Sequence, residues 1–108
     1  MKWKLLTVLA SMAVMPAANA GGTYSGIVKP LLYSNTLYLN IGATQMSGRP
    51  SCAVRPYVRL REDPTDPVFK QKYTAILAAY LAGKPLVLSG DGTCTGEGDE
   101  VVFVVDFQ

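Results

Sequence analysis

The 108-residue chain contains no histidine, only two cysteines and a single tryptophan. Without histidine, nucleophilic triads lose their usual base and zinc sites lose their commonest nitrogen ligand. Cys52 and Cys94 stand far apart rather than in a C-x-x-C pair, which argues against a thiol metal site. No apolar run approaches the roughly 20 residues that a membrane-spanning helix needs. No glycine-rich phosphate loop precedes a helix start. The charge is also close to balance, with ten basic and eight acidic residues. Bulk attraction to nucleic acid or to an anionic membrane therefore has no source. Together these absences weigh against an enzyme, a metal or cofactor protein, a nucleic-acid binder and an inserted membrane protein.

The chain opens on a leader pattern, MKWKLLTVLASMAVMPAANA. Lys2 and Lys4 form a positive start, Leu5 to Met15 a short apolar stretch, and Ala18-Asn19-Ala20 a small-x-small cleavage site. The reading is a signal peptide over 1–20, cut after Ala20, with the mature protein periplasmic or secreted. There is no cysteine at the cut to carry a lipid anchor. Removing Lys2 and Lys4 brings the charge to balance, and Trp3 leaves with them. Residues 21–108 then form one small domain, of a size that often needs a covalent staple. In an oxidising compartment, Cys52 and Cys94 are expected to pair.

Short strands dominate the remainder. Gly22 to Tyr33 reads as a first strand, with Tyr24, Gly26 and Val28 on one face and Ser25, Ile27, Lys29 and Leu31 on the other. Gly26 predicts a bulge or sharp bend there. Ser34-Asn35 is a turn, and TLYLNIG alternates as a second strand with Leu37, Leu39 and Ile41 inward. A loop, ATQMSGRPS, leads to a third strand, CAVRPYVRLRE. Its Val54, Pro56, Val58 and Leu60 share one face, and Arg55, Tyr57, Arg59 and Arg61 the other. Asp66 then caps a helix with Pro67 in its first turn, and Gly83 and Pro85 end it. Phe69, Tyr73, Ile76, Leu77 and Tyr80 form its apolar face. PLVLSG gives a fourth strand, DGTCTGEGD a glycine-rich turn region, and EVVFVVDF a fifth strand that is apolar on both faces.

The order strand, strand, strand, helix, strand, strand predicts an all-β or α+β domain. Its expected form is a five-stranded OB-fold-like Greek-key barrel with one helix between strands three and four. On that plan the row Arg55, Tyr57, Arg59 and Arg61 is the leading candidate binding surface. Three guanidinium groups can grip carboxylate or phosphate. The alternative is a solvated face whose arginines pair with Glu62, Asp63 or neighbouring strands. The carboxylates of REDPTD and GEGDE read as solvated loop charge. Ala75, Ala78, Ala79 and Ala82 line the helix's outer side, with Ala75, Ala78 and Ala82 the candidate oligomer face. Alanine also simply favours helix.

Three stretches carry a family resemblance: TYSGIV, SCAV, and the F…Y…YLAGKPLVL pattern. They resemble the binding (B) subunit of subtilase cytotoxin and its typhoid-toxin-like relatives. The resemblance implies an OB-fold, a pentameric ring with helices along the pore, an enzymatic partner subunit, and binding of sialylated glycans. Its aromatic-Ser-Gly motif falls on Tyr24, Ser25 and Gly26, with the Ser25 hydroxyl as the specific glycan contact. Where those B subunits carry aromatic residues at the end of strand four, this chain has Ser89 and Gly90. Their disulfides do not match a Cys52–Cys94 pair. The expectation is an exported, non-catalytic binding module without metal or cofactor. The alternative, from another class, is a periplasmic structural or inhibitor-like protein that binds another protein through strand five and the alanine face.

Overall fold

A computed structural model describes residues 21–108; the expected signal peptide, residues 1–20, lies outside the described residues. The chain runs β1 (Thr23–Gly26), β2 (Lys29–Tyr33), β3 (Thr36–Asn40), β4 (Thr44–Ser47), β5 (Tyr57–Leu60), α1 (Pro67–Leu81), β6 (Leu86–Cys94) and β7 (Glu100–Phe107). All seven strands join one sheet in the order β2-β3-β5-β7-β6-β1-β4. Only β5 and β7 run parallel; the other neighbours are antiparallel. The two ends of this order are joined by the chain itself. Two residues separate β1 from β2, and three separate β3 from β4. The sheet therefore curls back toward itself as a half-barrel.

The count of seven replaces the expected five because two of the expected strands bend. In the first, the bend falls where Gly26 predicted it. Gly26 has φ +147°, and a Cβ there would sit 2.9 Å from Ala43 O and 3.0 Å from Thr44 Cα. The partner strand bends opposite it, and β4 forms within the stretch expected to be a loop. Thr23 faces Ser47 and Gly26 faces Thr44, whereas Lys29 faces Asn40 and Tyr33 faces Thr36. The register slips by one residue at the corner, as a bulged hairpin does. The fourth expected strand also runs on past Gly90 to Cys94, with two register shifts against β7.

Period-two alternation places the core as expected along β3 and the residue after it, where Leu37, Leu39 and Ile41 are buried. Tyr24 and Val28 enter from the first hairpin, Val58 and Leu60 from β5, Leu86 and Leu88 from β6, and Val102 from β7. Val54 is a correction: expected inward, it is 73 % exposed. Its stretch precedes β5 and follows a different partner, since Val54 N and Arg55 N both donate to Gly98 O, at 3.0 and 3.4 Å. Pro56 offers no amide that would extend the strand upstream. The expected Cys52–Cys94 disulfide is present, with the Cα atoms 6.0 Å apart, and it ties this stretch to the end of β6.

The helix is punctuated as its sequence predicts. Asp66 Oδ1 accepts from Val68 N at 2.9 Å, and Pro67 occupies the first turn. At the far end Gly83 takes φ +69°. Lys84 N donates to Ala79 O at 2.8 Å and Gly83 N to Tyr80 O at 3.1 Å, a complete Schellman motif. Ile76 is buried, and Phe69 and Tyr73 pack against the core beside it. Ala79 is a second correction, because it lies in the core rather than on the outer face. It stands three residues after Ile76, so the two share one side of the helix. Among the described residues, no helix is long and apolar enough to cross a membrane.

Candidate functional site

β5 alternates Val58 and Leu60 into the core, which turns Tyr57 and Arg59 to the other side of the sheet. The arginines of that row are each paired with carboxylates from the glycine-rich region. Arg55 holds Asp99 with two bonds, Nε to Oδ1 at 2.9 Å and Nη2 to Oδ2 at 3.1 Å. Arg59 Nε donates to the same Oδ2 at 3.0 Å, and its Nη2 reaches Glu97. Arg61 reaches Asp91 Oδ2 at 3.3 Å. Two arginines thus face two acids, and the row is neutralised before any ligand arrives. Of the two expected readings, the pairing is what forms, but with Glu97, Asp99 and Asp91 rather than with Glu62 or Asp63. Glu62 pairs instead with Lys72, at 2.8 Å.

These contacts also correct the reading of GEGDE as solvated charge. Asp99 and Glu100 have no exposed surface. Burying a carboxylate costs heavily unless it is paired and hydrogen-bonded. Two guanidinium groups meet that requirement for Asp99, and hydrogen bonding to Asp99 raises the Arg55 pKa further above its ordinary value. Burial works to raise the pKa of Asp91. The Thr93 hydroxyl and amide, with Arg61, outweigh it and hold Asp91 below its ordinary value.

Beside the arginines the same side of the sheet carries a ladder of tyrosines. Tyr33 and Tyr38 meet edge-to-face at 6.3 Å, and Tyr38 and Tyr57 at 5.5 Å. Arg59 lies 4.3 Å over the Tyr38 ring and Arg55 5.2 Å over Tyr57. Leu31, Leu32, Tyr33, Tyr38, Tyr57 and Arg55 together line a cleft of about 400 Å³. Leu32 and Tyr33 are 67 % and 72 % exposed there, which leaves them open to a ligand. Asp99 occupies Nε and Nη2 of Arg55, which leaves Nη1 outside both bonds, and Arg55 is one of the residues that line the cleft. This concave surface is apolar and aromatic, with one charged group to orient what enters.

The motif Tyr24-Ser25-Gly26 is placed elsewhere. Tyr24 is fully buried, so its ring takes no part in any surface. Its hydroxyl donates to Glu100 and accepts from Arg49 Nε at 3.3 Å. Desolvation and the Glu100 carboxylate push its pKa up to about 12. Ser25 faces Val87 and Gln45 in the sheet and accepts from the Gln108 side chain. In the sheet order β6 and β7 stand between β1 and β5, so Ser25 and the arginine row do not form one site. Ala78 and Ala82 are exposed and Ala75 half-buried, so the outward alanine side survives without Ala79. On β7, Phe103, Val104 and Phe107 are exposed at 39 %, 37 % and 58 %.

Arg49 and Asp91 escaped the sequence reading, and Asp99 and Glu100 entered it only as solvated charge. A signal for Glu100 existed, because it alternates with the inward Val102 on one face of β7. Arg49 donates to Arg55 O at 2.6 Å and braces the approach to β5, and nothing in GRPS marks that role. No family model, curated protein or solved structure matches the chain.

Proposed function

We propose that the chain is an exported, non-catalytic binding module that takes an acidic saccharide, of the sialylated kind, in the tyrosine cleft of β2, β3 and β5. The plan is a five-stranded OB-like barrel in which β1 with β2 count as one bent strand, and β3 with β4 as another. The helix between the third and fourth of these strands, and the parallel contact of β5 with β7, support that reading. OB-folds bind extended ligands along this face. The observation that carries the proposal is the cleft's composition: three tyrosines and two leucines beside a single arginine. Tyrosine rings offer apolar faces to the C–H surface of a sugar ring. Arg55 supplies donors for the sugar carboxylate while staying anchored by Asp99. Arg59 and Arg61 lie outside the residues that line the cleft, and each is held by a carboxylate.

Titration calorimetry with sialyllactose and with lactose tests the proposal. The expected result is binding of the acidic sugar alone, lost in Tyr33→Ala and kept in Ser25→Ala. Loss in Ser25→Ala with retention in Tyr33→Ala moves the site to the first hairpin, as the toxin resemblance implies. No binding of either sugar sinks the glycan reading. A second reading, a protein-binding module, draws on the exposed Phe103, Val104 and Phe107 of β7 and on the open alanine side of α1. A toxin-like pentamer with an enzymatic partner belongs with the first reading. Light scattering tests it: a ring that Ala78→Glu dissolves supports it, and a wild-type monomer ends it.

A further inference from the structure

Glu100 is a fully buried carboxylate whose described partners are all neutral. Gly22 N donates to its two oxygens at 3.2 and 3.0 Å, Gly92 N donates at 2.9 Å, and the Tyr24 hydroxyl completes the set. The Arg49 guanidinium stops on the far side of that hydroxyl. Among the described residues no lysine or arginine forms an ion pair with Glu100. Its neighbour Asp99, equally buried, has two arginines. A buried charge without a counter-charge is expensive, and hydrogen bonds from neutral donors offset only part of that cost.

The backbone of Gly21 stands beside the same carboxylate. Gly21 precedes the amide that donates to Glu100, and a Cβ built on Gly21 would fall 2.7 Å from Glu100 Oε2. The Gly21 nitrogen hangs from the same Cα, at about 1.5 Å. Gly90 O lies nearer still to that Cβ position, and Gly22 follows without a side chain. A Cβ on Gly22 would stand 2.8 Å from Glu100 Oε1 and from the Tyr24 hydroxyl. In the uncut chain the Gly21 nitrogen is a neutral amide bonded to Ala20. Hydrolysis of that peptide bond consumes one water, leaves a carboxylate on Ala20, and leaves Gly21 with an α-ammonium group.

We propose that cleavage between Ala20 and Gly21 completes the fold by creating the missing counter-ion, an α-ammonium on Gly21 that pairs with buried Glu100. Removal of the leader is then also a folding step, since the chain reaches its full stability only once cut. The proposal rests on the reading of residues 1–20 as a leader cut after Ala20, and the test separates the two.

Residues 21–108 hold every described strand, the helix and the disulfide, so chains of chosen start can be made directly. Four are compared by thermal melting: one beginning at Gly21 and one retaining Ala20, each with Glu100 and with Glu100→Gln. The expected result is that the extra residue lowers Tm by on the order of 5 °C beside Glu100 and has little effect beside the Gln substitution. Equal sensitivity in both backgrounds, or none in either, overturns the ion pair. Should Glu100→Gln fail to fold, nitrogen-15 NMR of the Gly21 amine decides the question. The other ionisable groups at the site are the Tyr24 hydroxyl and the Arg49 guanidinium. Pairing raises the amine's pKa above the ordinary value of roughly 8, and an ordinary value overturns the pairing. Mass spectrometry of the exported protein reads the leader separately. A start at Gly21 supports the maturation step, and a start elsewhere overturns that step whatever the melts give.

Discussion

Replacing Tyr24 with Phe removes one oxygen and keeps the ring, which makes it a clean probe of the buried carboxylate. The lost hydroxyl is one of the donors that hold Glu100, and Arg49 Nε loses its acceptor at 3.3 Å. A hydrogen bond to a charged group contributes about 1.5–3 kcal/mol. A domain of this size loses about 4–8 °C of Tm per kcal/mol, so the expected drop is on the order of 10 °C. The variant has a second signature in its pH dependence. Folding raises the Tyr24 pKa from 10.0 to about 12. The neutral phenol is therefore favoured in the folded state, and its contribution is fully present below pH 10. It is lost as the pH rises from 10 toward 12. Urea melts of wild type and Tyr24→Phe at pH 7 and at pH 11.5 read both effects. The gap between the two proteins should be wide at pH 7 and narrower at pH 11.5. Equal stability at pH 7, or a gap that pH does not change, refutes the claim that the phenol serves the carboxylate.

Three further perturbations follow from the same geometry. Reducing Cys52–Cys94 frees a loop spanning 42 residues and should cost about 4 kcal/mol by the chain-entropy argument; a melt unchanged by reductant would count against it. Gly90→Ala drives a Cβ into the Glu100 carboxylate, 2.6 Å from Oε1, so it should destabilise by more than about 2 kcal/mol. Gly96→Ala, where a Cβ meets nothing within 4 Å, is the control and should leave Tm nearly unchanged. Asp99→Asn strips the shared counter-charge from Arg55 and Arg59 and should cost about 3–5 kcal/mol by denaturant titration. A cost below about 1 kcal/mol would mean that Glu97 alone suffices.

The helix was legible because its limits are local. Asp66-Pro67 and Gly83-Lys84-Pro85 punctuate it whatever lies around, and the chain obeys both. The faces of β3 were legible for a similar reason, since Leu37, Leu39 and Ile41 alternate without interruption. β4 was not legible. Thr44–Ser47 sits between Gly42 and Gly48, which reads as loop, and its strand character comes from pairing with residues 23–26 far upstream. Ala79 was misplaced because alanine carries no mark of the face it takes.

The arginine row shows where a local reading of charge stops. Alternation put Arg55, Tyr57, Arg59 and Arg61 on one side, but the sign a ligand would meet there depends on what faces them across the sheet. Parallel pairing of β5 with β7 sets Val58 against Glu100 and so brings the preceding loop, with Glu97 and Asp99, up against Arg55 and Arg59. That register is a property of the closed sheet. It turns a row of cations into a neutral wall, and on the proposed reading recognition passes to the tyrosines beside it. A ligand that binds here by charge alone would have to displace a fully buried carboxylate from two guanidinium groups. A ligand that stacks on Tyr33 and reaches the remaining nitrogen of Arg55 leaves those ion pairs in place.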